Sequence, residues 1–165
     1  LSGRNEEKTN VMRLLEQKRI PYESYHADLK EAVSGVEAAR LMGLEEARVY
    51  KTLVTRGKSG QLYVFVIPAA AELDLKKAAS VSSEKSVSMI LSRELLPNTG
   101  YVHGGCSPIG MKKVYPTFVD STAQQFDTIY FSAGRIGFQV EIKPDDLGKI
   151  IRFRYADITV PSSED

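Results

Sequence analysis

The chain has 165 residues, 42% hydrophobic and 26% charged, with 22 basic against 21 acidic side chains and a net charge of +1. That suits one soluble domain with a real core and argues against a dedicated DNA or membrane binder, which would carry a strong basic excess. A single cysteine excludes an internal disulfide and points to the reducing cytoplasm; no apolar run approaches the roughly 18 residues of a membrane span, and no secretory signal is visible. Residues 1–5 read as an expression remnant or frayed end, and the domain is expected over 6–160.

Helical spacing of Val11, Leu14 and Leu15 predicts an amphipathic helix over 6–19, stopped by Pro21. A short aromatic strand is expected at 22–27. A second helix follows over 34–44, with Ser34 or a neighbour as cap and Gly43 at its end. Two β-rich runs in 48–69 flank Gly57–Gly60 and read as a hairpin. The second run, Leu62–Ile67, is apolar throughout and reads as a central strand. Short helices are expected at 72–80, where Asp74 stands near the start, and at 92–96, capped by Ser92. A short strand lies between them at 87–91. Strands at 116–120, 128–133 and 137–142 follow. The stretch 121–126 reads as a helix capped by Asp120 or Ser121. A last short helix at 143–150 has proline near its first turn. Hairpins mix with short helices without βαβ regularity, so the expected class is one α+β domain on a mixed or curled sheet.

The stretch with most chemistry is "VHGGCSPIGMKK", residues 102–113. Gly104 and Gly105 permit left-handed backbone and close approach, Pro108 biases Ser107 to an extended form, and Gly110 restores freedom. Such a loop can turn the amides of Gly105, Cys106 and Ser107 toward an anion or a developing oxyanion. It reads equally as a connector. A phosphate-binding P-loop is excluded because Met111 replaces the lysine and no Ser or Thr follows Lys112. The serine elbow fails because Ile109 replaces its second glycine. Cys106 as nucleophile would need a base, and a lone cysteine more often packs as a small apolar residue. His26 and His103 make no metal-ligand spacing, so neither a metal nor another cofactor is expected. Lys51 lies in "VYKTLVT" and shares a strand face with Val49, Leu53 and Thr55, where its ammonium must reach solvent or meet an anion. The pairs Lys76–Lys77 and Lys112–Lys113 read as solvated faces or as a path for nucleic acid.

"VYKTLV", "LDLKKAA", "GGCSPIGMKK" and "IYFSAGRIGFQVEI" occur in this order. Together they resemble the YbaK/EbsC branch of the YbaK/ProX aminoacyl-tRNA deacylase family, related to the editing domain of prolyl-tRNA synthetase, over about residues 8–158. The resemblance implies a highly curved, barrel-like mixed sheet of about seven strands within short helices. It implies a free-standing proofreading enzyme that acts on the aminoacyl 3′ end of tRNA, mainly Cys-tRNA(Pro) and also Cys-tRNA(Cys), in association with prolyl-tRNA synthetase. The family's essential lysine falls on Lys51 and the neighbouring threonine on Thr52. The glycine-serine-proline loop falls on Gly105, Ser107, Pro108 and Gly110. The first-strand tyrosine falls on Tyr25, and the serine-glycine turn on Ser132 and Gly134. Ser34, Cys106, Ala133 and Gln139 depart from the residues relatives carry; they border the implied amino-acid pocket. In this branch the substrate's own thiol is the implied nucleophile. Three other readings stay open: a non-catalytic module binding nucleotide or an uncharged tRNA end, a deacylase for another amino acid such as alanine on tRNA(Pro), and a thiol hydrolase using Cys106.

Overall fold

The computed structural model describes residues 7–161. Residues 1–5, read above as a remnant, lie outside the described residues, as does the first residue of the expected 6–19 helix. That helix, α1, spans Asn10–Gln17 and begins later than its charge pattern implied. Thr9 caps it, its Oγ1 accepting the Met12 N–H at 3.3 Å, which ends the helical hydrogen bonding there. Strand β1 is Glu23–His26. Helix α2, Gly35–Met42, opens after Ser34, whose Oγ accepts the Glu37 N–H at 3.1 Å, and closes at Gly43 with φ 71°.

A 3-10 turn over Glu46–Arg48, unmarked in the sequence, feeds β2 (Tyr50–Gly57), which hairpins into β3 (Leu62–Pro68). Helix α3 (Leu75–Ser82) is capped by Asp74, and β4 is Val87–Met89. Helix α4 (Ser92–Thr99) starts after Leu91 rather than Ser92, because Glu94 reaches back to accept the Leu91 N–H at 2.9 Å. It continues past Pro97, where the sequence reading ended it; Asn98 and Thr99 side chains bond the Glu94 and Leu95 carbonyls at 2.8 and 2.7 Å. Strands β5 (Thr117–Asp120), β6 (Ile129–Ser132) and β7 (Phe138–Ile142) fall where expected, and Ser121–Gln125 and Pro144–Lys149 are 3-10 rather than α. Strand β8 (Arg154–Ala156) escaped the sequence reading: three residues, none fully buried, leave no alternation to see.

The sheet differs from the expected one. Among the described residues eight strands form two sheets, β1-β7-β6 and β4-β2-β3-β5-β8, and neither closes into a barrel. The three-stranded sheet is antiparallel, and the five-stranded one is mixed, with β5 parallel to β3 and β8 parallel to β5. Among the described residues a single parallel bridge, Val49 to Tyr130, joins the sheets. Closure fails there because β2 turns its outer edge to β4 from Thr55 onward, leaving β6 with no further partner.

Strand β3 is central, as its unbroken apolar run implied, and Leu62–Ile67 are all buried. Val64 and Val66 face the main core with Val11, Leu15, Ile109, Phe131 and Val140; Tyr63, Phe65 and Ile67 face a second core with Phe118, Ala78 and Ala79. Each such side chain contributes roughly 1.5–3 kcal/mol by leaving water. A third, small cluster of Ala39, Val49, Ala69 and Tyr130 sits under α2 at the junction of the sheets.

Candidate functional site

The junction is pinned by charge. Arg48 donates from Nη2 to Glu141 Oε2 at 2.7 Å and from Nε to the Thr128 carbonyl at 3.0 Å, and its guanidinium lies 4.7 Å from the Tyr130 ring centre. Glu141 also accepts the Tyr25 hydroxyl at 2.6 Å and bonds the Thr128 hydroxyl. Burial pushes the Glu141 carboxyl up, but the Thr128 and Tyr25 bonds and the Arg48 charge together hold it below its ordinary value.

Beside this clamp a cleft of about 490 Å³ opens between β2 and β6. Its walls come from both sheets, from the start of α2 and from the 103–106 loop. Of the residues singled out from sequence, Lys51, Thr52, Ser34, Cys106, Ser132 and Gln139 line it together. Lys51 and the loop therefore share one pocket, although they are 55 positions apart in the chain, counting from 51 to 106.

Lys51 makes no salt bridge within the described residues; burial pushes its ammonium below its ordinary value, and Glu72 partly offsets that. A desolvated, unpaired cation of this kind gains most from an anion or a polarised carbonyl. Two buried side-chain oxygens, Thr52 Oγ1 and Gln139 Oε1, have no partner among the described residues, and both belong to cleft residues. An orphaned buried polar atom costs about 1–3 kcal/mol, which a polar ligand can offset. Ala38, Ala69 and Leu95 supply an apolar side to the same cleft. Cys106 is buried, and that burial pushes its thiol up to about 12. It presents a small apolar surface rather than a thiolate.

The other expected residues lie elsewhere. Tyr25 packs edge-on against Tyr130 at 5.6 Å and is held by Glu141, outside the cleft lining. Ser107 is fully buried, and its Oγ accepts the Ile109 N–H at 3.3 Å. Pro108 and Ile109 continue into the core. The Gly105 N–H is already given to the Val102 carbonyl at 2.9 Å, so it is not a free oxyanion donor. The loop's glycines answer to packing. A Cβ on Gly104 would stand 2.5 Å from the Ala32 Cβ, and one on Gly105 3.1 Å from the Ile136 nitrogen, so the loop ties the cleft mouth to the β6–β7 turn. Gly110 and Gly134 both border Tyr101, whose hydroxyl donates to the Ile109 carbonyl.

Gly104, singled out from the sequence for its backbone freedom, also lines the cleft; sequence reasoning gave no site role to His103 and Tyr50, which line it too, and missed the Arg48–Glu141 clamp behind it. A strand tyrosine and a loop histidine carry no local signature. Two further hollows, of about 320 and 360 Å³ around Lys143 and Asp146, contain none of the expected residues. Among the described residues no group of three or more His, Cys, Asp or Glu is placed to hold a metal ion. No helix among the described residues is long and apolar enough to cross a membrane.

The cleft thus combines an ammonium with no salt bridge among the described residues, two orphaned oxygens and an apolar wall whose thiol is kept protonated. The chain belongs to the aminoacyl-tRNA editing domain family, whose sequence model matches residues 30–150. It is 43% identical over 157 residues to the Enterococcus faecalis protein named "Putative Cys-tRNA(Pro)/Cys-tRNA(Cys) deacylase EbsC", covering 94% of this chain and 96% of that one. It is 31% identical over 78 residues to the proline–tRNA ligase of Thermosipho melanesiensis, 47% of this chain and 14% of the ligase. The fold matches a solved "putative trans-editing enzyme for prolyl tRNA synthetase" with TM-score 0.78 and 22% identity, over 94% of this chain and 100% of that one.

Proposed function

We propose that this protein is a trans-acting aminoacyl-tRNA deacylase that proofreads mischarged tRNA, mainly Cys-tRNA(Pro) and also Cys-tRNA(Cys). The observation that carries the reading is the convergence of Lys51, Thr52, Cys106, Ser132 and Gln139 on one cleft at the sheet junction. Lys51 meets the negative charge of the substrate, at the terminal phosphate or at the ester oxygen. Thr52 and Gln139 give polar partners to the aminoacyl group, Ser34 and Ser132 border it, and Cys106 lines its pocket. Gly105, Ser107, Pro108, Gly110 and Gly134 shape the loop and turn that close the site, and Tyr25 acts through Glu141.

The protein supplies position, and the nucleophile arrives with the substrate. The cysteinyl sulfur attacks its own carbonyl carbon, the ribose oxygen leaves, and the thiol proton passes to that oxygen. Uncharged tRNA and a cyclic thiolactone result. Holding sulfur, carbonyl and leaving group in line is the kind of help a positioning site gives. The domain runs over 6–160, works in the cytoplasm, needs no cofactor, and gains tRNA selectivity beside prolyl-tRNA synthetase. The near-neutral net charge fits backbone contacts to a few phosphates only.

Deacylation of Cys-tRNA(Pro) by wild type and Lys51→Ala tests the assignment. The expected loss is about a hundredfold or more in kcat/KM, the scale for one charged group at a developing oxyanion. Full activity in Lys51→Ala sinks the lysine's role. Ser-tRNA cleaved as fast as Cys-tRNA on the same tRNA body sinks the thiol-assisted route.

A further inference from the structure

Strands β2 and β6 present edges to the cleft, and the phase of their ladders says which main-chain groups face it. In an antiparallel ladder, alternate residues turn N–H and C=O to the partner strand and the rest turn them to the other edge. On β2 the Val49 carbonyl accepts from Ala69 at 2.7 Å and the Gly57 N–H donates to Gln61 at 2.8 Å. Odd-numbered residues therefore face β3, and even-numbered ones face away, where the Val54 carbonyl accepts from Ile90 at 3.3 Å. On β6 the Ala133 N–H donates to Phe138 at 3.0 Å, so Ser132 faces away from β7. These two outward edges meet at the Val49–Tyr130 bridge and form no ladder beyond it. Five consecutive residues, Val49 to Leu53, line the cleft, as a strand does when seen edge-on.

We propose that the main-chain N–H of Thr52 is the donor that receives the carbonyl oxygen of the scissile ester, facing the main chain of Ser132 across the gap. This rests on the deacylase reading above. As the nucleophile bonds to the carbonyl carbon, the C=O π pair moves onto oxygen, and the charge that builds there meets a donor already fixed by the sheet. The pair returns as the ester C–O bond breaks and the ribose oxygen departs with a proton. A donor held by β-structure needs no reorganisation during the reaction. Lys51, one residue before, lines the same cleft. The assignment replaces the Gly105 amide, which is already bonded to Val102. No sequence motif marks it, because every residue except proline carries an N–H.

The test exchanges Thr52 for its α-hydroxy acid by nonsense suppression, which turns that one N–H into an oxygen, beside Thr52→Val, which keeps the N–H and loses the hydroxyl. Both are assayed on Cys-tRNA(Pro), with circular dichroism and thermal unfolding in parallel. The α-hydroxy form is expected to lose about 10²–10³ in kcat, the cost of one oxyanion donor, and Thr52→Val about tenfold or less. A folded α-hydroxy form as active as Thr52→Val overturns the proposal. A form that does not fold overturns it too, since the N–H then belongs to the sheet. A wild-type protein inactive on every mischarged tRNA removes the deacylase reading instead.

Discussion

Cys106 and Lys51 line the same cleft, and burial acts on their titration in opposite directions. Cys106 draws the eye as the chain's one cysteine, yet burial pushes its thiol up to about 12, leaving almost no thiolate at neutral pH. Cys106→Ala should therefore keep kcat within about threefold, and alkylation by iodoacetamide at pH 7 should be slow beside a free thiol. Mass spectrometry of the alkylated protein reads the second. Rapid modification with parallel loss of activity would restore the cysteine nucleophile. Lys51, on which the family's essential lysine falls, lines the cleft, and burial pushes its ammonium below its ordinary value. Lys51→Arg should recover only part of the activity lost in Lys51→Ala, because the guanidinium fork is bulkier and differently directed than a point ammonium.

At the scale of elements, the cleft depends on how closely α2 approaches the sheet. A Cβ on Gly35 would stand 2.8 Å from the Ala69 Cβ, a contact that cannot form without a shift. Gly35→Ala should push the helix start from the cleft wall despite alanine's better helix propensity. The expected result is a raised KM and a lowered melting temperature. An unchanged KM would show that α2 does not set the pocket. Thr9→Ala tests a different end. It removes the α1 cap and should cost about 1 kcal/mol in denaturant unfolding with little effect on catalysis. Most elements were legible because local chemistry decides them: the Ser34 and Asp74 caps, the Gly43 stop, the apolar run of β3. Helix α4 was cut short in the sequence reading because a proline removes only one helical hydrogen bond, and the turn around Pro97 is held by the Asn98 and Thr99 side chains on the Glu94 and Leu95 carbonyls.

For the whole molecule, the Arg48–Glu141 clamp decides how the two sheets face each other. The pair is 21% and 16% exposed, and 93 residues separate it in sequence. Glu141→Gln leaves the guanidinium with a weakened partner and should destabilise by about 2 kcal/mol, below the range for a fully buried pair. The folded Glu141 carboxyl lies below its ordinary value of 4.5, so its contribution is complete above that value. It fades as pH falls through the lower, folded value. Acid unfolding of wild type should therefore steepen below about pH 4.5, and Glu141→Gln should flatten that limb. Parallel acid limbs in the two proteins would remove Glu141 from the account.

The sequence by itself determined the α+β class, most elements and the family, and with it the residues around Lys51 and Gln139. These follow from short-range periodicity, caps and ordered motifs, which need no knowledge of what packs on what. Only the tertiary structure decided that the sheet splits in two, that Tyr25 turns to Glu141, and that Gly105 is bonded while the β2 edge faces the cleft. Those outcomes depend on which strand edge finds a partner. A main-chain N–H has the same chemistry at every position until the fold pairs it or leaves it facing a cleft.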